Sequence, residues 1–240
     1  MKVNNSQALQ LSVSEQTLRR FYQLIFVANA LVIFVTAASD VGLAFAQRGI
    51  LQLDLKLEGN VAVWYSSTLL FLTALAALAI STHVPPQITQ PRLYCLVWRI
   101  ATLFFLGLAI DETAQLHERT GHLFTKYFGG VPGLTPGAGP VFAWLVALAP
   151  MIIVFLVVMK MAAQWLRLHN RSRNLALAGI ACWIGVLLAE FIQAQLRRLS
   201  MPRSIQGVIE EGLEIIGTTL FLISFLEFLR YISSQCSAAR

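Results

Sequence analysis

The chain has 240 residues, of which 57% are hydrophobic and only 12% charged, with a mean hydropathy of +0.67. That is too apolar for a soluble domain and places the chain among integral membrane proteins. Its net charge of +6 does not point to nucleic acid, because the basic residues are spread over short loops between apolar runs and form no patch. Cys95, Cys182 and Cys236 show no CxxC spacing, which argues against a disulfide framework and a cysteine metal centre.

Residues 1–18 are polar and lack the early apolar core of a cleavable signal peptide, so they are expected to form a cytoplasmic tail ahead of an uncleaved first span. Six apolar runs follow, at about 21–45, 61–82, 93–118, 140–165, 174–197 and 204–232. Each is near the ~20 residues that cross the ~30 Å of a bilayer's hydrocarbon. The expected fold is an all-α polytopic membrane helix bundle: six transmembrane helices over residues 19–232, a short tail at 233–240, and both termini cytoplasmic. The segment 126–140, KYFGGVPGLTPGAGP, is too rich in glycine and proline for regular structure and reads as an ordered loop or small lid.

Orientation follows from the basic residues. With the N-terminus inside, 11 of the 18 Lys and Arg fall on the inner side, a modest vote for cytoplasmic termini. The acids are more lopsided. Of 12 Asp and Glu, 10 fall on the outer side, so one end of the bundle is acidic whichever way the chain is inserted.

These acids stand at similar depth. Asp40, Asp111, Glu190 and Glu214 each border the apolar run of a different span, and Glu118, His122, His117, Glu210 and Glu211 form a tier above them. At about 100° per residue, Asp111, Gln115, Glu118 and His122 share one face of a continuous helix, whereas Glu112, His117 and Arg119 point elsewhere. Glu210 and Glu214 are one turn apart on a face shared with Gly207 and Gly217, glycines that let another helix approach closely. The bland reading is that such acids are a solvated margin paired with Arg197, Arg198 or Arg203. Against it, Asp40, Asp111 and Glu190 lie toward helix C-termini, where the helix dipole disfavours an anion by a few tenths to ~1 kcal/mol. Carboxylates crowded near hydrocarbon must bind protons, arginine or a metal cation. The expected site is therefore a divalent metal, zinc, iron or manganese, held by Glu118, His122, Glu210, Glu214 and Glu190, with Asp111 and Glu211 as the catalytic acids.

LAIDETAQLHER (108–119), NVAVWYSS (60–67) and VIEEGLEIIG (208–217) together resemble a set of uncharacterised bacterial multi-pass membrane proteins that combine a DE…LHE stretch with a late EE..E..G helix. The resemblance implies a bacterial inner-membrane setting and carries no activity. Three function classes remain. One is a metal-dependent enzyme acting on a lipid-like or hydrophobic substrate, although the chain lacks the ExxH motif of di-metal bundles. The second is a cation or proton transporter, and the third a non-catalytic subunit packed against other membrane subunits. Membrane lipid is the expected partner in every case.

Overall fold

A computed structural model describes residues 15–46, 60–128, 139–196 and 203–238. Among them there is no strand. The helices are α1 (Glu15–Ala46), α2 (Val61–Ser81), α3 (Pro91–Ala114), α4 (Leu116–Phe128), α5 (Gly139–Ala147), α6 (Ala149–Leu166), α7 (Asn170–Leu196) and α8 (Arg203–Ala238). Six of them, α1, α2, α3, α6, α7 and α8, are long and apolar enough to cross a membrane. The run expected as a fourth span is divided into α5 and α6, because Pro150 has no N–H to donate and its ring opposes the carbonyl one turn back. Most of the segment 126–140 lies outside the described residues.

α8 is the axis of the bundle. Of its most apolar window 67% is buried, against 17% for α7 and 22% for α1, and α1, α2 and α7 pack directly against it. The reason is visible in its sequence: Thr218, Phe221, Phe225 and Phe228 recur at alternating spacings of three and four and are all fully buried. They meet an equally buried stripe on α3. Trp98 lies 5.1 Å from Phe225 and 5.9 Å from Phe228, and Phe105 lies 5.5 Å from Phe221, between ring centroids. Outward-facing residues such as Leu24, Val27, Leu31 and Phe34 on α1 and Ile153, Val154 and Leu156 on α6 are exposed, the face that lipid would cover.

Two polar devices fix helix positions where water is absent. Asn29 on α1 donates to Thr219 on α8 at 2.9 Å and accepts from the Tyr65 hydroxyl of α2 at 2.6 Å. Ser67 on α2 donates to the Ala109 carbonyl of α3 at 2.7 Å. Each satisfies groups that would otherwise be stranded in hydrocarbon. α1 begins where α8 ends, since Glu15 lies 3.7 Å from Arg230.

His169 is half-buried in the turn between α6 and α7, stacked on Tyr231 at 5.3 Å. Its Nδ1 lies 2.8 Å from the Ser172 hydroxyl and accepts from the Ser172 N–H, which caps the start of α7. Burial holds the imidazole below its ordinary value. A lowered pKa means that the unfolded chain binds the proton more readily, so this contribution to stability is complete above about 6.5 and is lost as pH falls below it. Detergent melting curves should show that loss between neutral pH and about 5. His169→Asn, which keeps an acceptor for the cap, should flatten it; an unchanged pH profile would remove His169 as the cause.

Candidate functional site

The acidic end of the bundle is organised by a break between α3 and α4. Gln115 has φ 51° and ψ 43°, the one non-glycine residue in the left-handed region among the described residues. It ends α3 with its N–H donating to the Asp111 carbonyl at 2.6 Å, and its own carbonyl accepts from Arg119 to open α4. The first N–H groups of a new helix need acceptors. Asp111 reaches over from the last turn of α3 and supplies one: Oδ1 accepts from the His117 N–H and Oδ2 lies 2.7 Å from His117 Nδ1. The carboxylate thereby favours the tautomer with the proton on Nδ1 and the lone pair on Nε2. The ring also sits edge-on to Trp144, 5.4 Å away.

This break changes which residues meet. A stripe through Asp111, Gln115, Glu118 and His122 requires one unbroken helix, and a left-handed residue in its middle resets the phase. His122 is exposed on α4 and is not among the grouped ligands. Asp40, Glu118 and Glu190 lie on α1, α4 and α7, but their side chains are outside the described set. Glu112, expected to point away, instead faces α8. It follows Trp98 and Phe105 at seven-residue intervals on the face that α8 covers, about 10 Å beyond Phe105 at 1.5 Å per residue. On α8 the matching stripe continues from Phe221 through Thr218 to Glu214 and Glu211. The aromatic register between the two helices therefore ends in three carboxyl groups.

Glu112, Glu211 and Glu214 each offer one oxygen within 4.8 Å of the other two. The carboxyls of Glu112 and Glu214 face each other, so both cannot stay charged without a proton or a cation to offset their repulsion. Oε2 of Glu211 is sealed from solvent and has no hydrogen-bond partner among the described residues. Glu210 interacts electrostatically with both α8 acids, Asp111 with Glu112 and Glu214, and His117 with Glu214. Thus Asp111, Glu210 and His117 lie near the group formed by Glu112, Glu211 and Glu214. An ion with oxygen ligands at about 2.1 Å requires those oxygens to lie within about 4.2 Å of one another. Sub-ångström side-chain adjustment achieves that here. The acids are positioned by close packing of α7: a Cβ added to Gly217, one turn beyond Glu214, would lie 2.7 Å from Trp183 Cδ1 and 3.0 Å from Cys182 Cβ.

Residues 24–228 match a family described as a domain of unknown function (DUF8692). The chain belongs to the DUF8692 family. The match runs from α1 to α8, and the positions of the carboxylate cluster fall within it. No curated protein and no solved structure matches the chain.

Proposed function

We propose that this protein is a metal-dependent enzyme of the bacterial inner membrane, with both termini cytoplasmic and its site at the external end. Glu112, Glu211 and Glu214 hold one divalent cation, with His117 beside them. The observation that carries this reading is the convergence of three carboxyl oxygens within 4.8 Å, one of them from Glu211, whose Oε2 has no partner among the described residues. Carboxylates brought this close beside hydrocarbon repel strongly, and a divalent ion offsets that cost more completely than one shared proton. The donor set, oxygen-rich with an imidazole at its edge, suits manganese or iron and also accepts zinc.

The chemistry follows from the parts. A bound ion of this kind polarises an oxygen ligand or lowers the pKa of a coordinated water. The Asp111–His117 pair lies beside Glu214 and is suited to take up a proton and return it. The site lies near the ends of apolar spans, a position that favours a lipid-like or otherwise hydrophobic substrate. Beneath it, Phe105, Phe221 and Phe225 fill the bundle with apolar surface. That layer favours a closed site over a transport path, so reconstituted protein should carry no cation flux.

The test is elemental analysis of protein purified without chelator. About one metal per chain is expected, lost in Glu112→Gln with Glu214→Gln and kept in His122→Ala. Metal-free wild-type protein, or a double variant that retains its metal, would sink the proposal and leave the subunit reading in its place.

A further inference from the structure

The opposite end of the bundle carries a second constellation, independent of the carboxylate cluster. Three arginines from three helices, Arg19 of α1, Arg171 of α7 and Arg230 of α8, line a cavity of about 210 Å³. At its base lies Glu227, 2% exposed, 3.5 Å from Arg171 and 3.0 Å from Arg230. Arg230 is also 3.7 Å from Glu15. Arg19 makes no ion pair among the described residues, so the lining holds three cations against two anions. Glu227 is therefore more than a buried charge in need of compensation. It aligns two guanidinium groups, whose remaining N–H donors stay available at the mouth of the cavity.

Tyr22 supplies a separate indication. Its side chain is 8% exposed and lines the same cavity, yet its hydroxyl faces Glu227 without closing a hydrogen bond to any described residue. A buried phenol without a partner is disfavoured, and a ligand oxygen in the cavity would satisfy it.

The arginine cavity adjoins a larger one. A groove of about 430 Å³ between α1, α2 and α8 is lined by Leu18, Leu75, Ala76, Ala79, Leu226 and other apolar residues. Leu18 borders both spaces, and Leu226 and Leu229 of the groove flank Glu227 and Arg230 in sequence. From Leu229 to Leu222 the groove runs about 10 Å down α8 into the membrane-spanning part. A cationic pocket opening onto a narrow apolar groove at the edge of a span matches a molecule with an anionic head and a hydrocarbon tail.

We propose that this crevice binds one anionic phospholipid, its headgroup phosphate on Arg19, Arg171 and Arg230 with the Tyr22 hydroxyl, and one acyl chain in the groove between α1, α2 and α8. Guanidinium groups recognise phosphate through paired N–H donors, which an ammonium does not reproduce. The lipid would fasten α1, whose membrane window is only 22% buried, to the rest of the bundle.

Native mass spectrometry of the full chain, exchanged into mixed phosphatidylglycerol and phosphatidylcholine vesicles and released into mild detergent, tests this. Wild-type protein should retain one phosphatidylglycerol in preference to phosphatidylcholine. Arg19→Gln with Arg171→Gln should lower that retention at least tenfold. Ala76→Leu, which fills the groove without touching the arginines, should lower it several-fold. Metal content should be unchanged in all of these variants, because the carboxylate cluster lies at the other end. Equal retention of the two lipids overturns the proposal, as does an arginine variant that binds like wild type. Displacement of the lipid by millimolar inorganic phosphate, with Ala76→Leu indifferent, would overturn it in favour of a free phosphate site. Should the arginine variant misfold, the Ala76→Leu and phosphate arms still decide.

Discussion

Gly217→Leu is expected to destabilise the bundle more than any other single change at the acidic end. Even a Cβ at this position would lie 2.7 Å from the Trp183 ring and 3.0 Å from Cys182 Cβ, which is fixed to the α7 backbone. The facing glycine offers no relief, because a Cβ on Gly179 would lie 2.9 Å from the Gly217 carbonyl oxygen. Helix association in lipid depends on such close backbone approach rather than on hydrophobic burial, so α7 must move outward along its length. Overpacking of this kind costs about 1–3 kcal/mol, and the larger side chain lies at the upper end. A lower melting temperature in detergent should be accompanied by loss of metal, since Glu214 is one turn away. Gly217→Ala should show a smaller shift in the same direction. A Gly217→Leu protein that melts like wild type would mean that α7 and α8 do not pack through this glycine.

Trp98→Ala is expected to be the most damaging change in the core. The indole is fully buried among Tyr94, Phe225 and Phe228. Truncation leaves a cavity where α3 and α8 set their mutual register, and comparable truncations cost about 3–5 kcal/mol. Trp98→Phe should be far milder, because the indole N–H makes no hydrogen bond among the described residues and nothing polar is lost. The pair separates packing from polarity: equal damage from both substitutions would show that the indole N–H matters and that ring volume alone does not explain the site.

The six spans were legible because run length in a bilayer is a strict constraint, and α1, α2, α3, α7 and α8 cover the runs that length picked out. The central role of α8 was not, since its apolar run looks like the others until its buried stripe is paired with that of α3. At the site, Asp111, Glu210, Glu211 and Glu214 could be placed by depth alone. Glu112 does not stand out in the sequence, because a polar stripe through Gln115 assumes one continuous helix and nothing in the residue type announces a left-handed glutamine. The seven-residue interval from Trp98 through Phe105 to Glu112 was the available signal. It ties the acid to an aromatic face and would have aimed it at a neighbouring helix. His117 was hidden for the same reason, because its place beside Glu214 depends on the turn that Asp111 caps.

The link from Asn29 to Tyr65 and Thr219 bears on how the chain is made. Helices leave the ribosome in order, and α2 with α3 can form its hairpin as soon as both are inserted. α1 cannot complete its polar contacts then, because Thr219 lies on the last helix and is separated from Asn29 by 190 positions. Until α8 arrives, the Asn29 amide has only the Tyr65 hydroxyl and whatever the insertion machinery or lipid headgroups offer. α1, made well before α8, is thus locked only once α8 is in place, and a chain truncated before α8 would leave α1 without its anchor and open to membrane quality-control proteolysis.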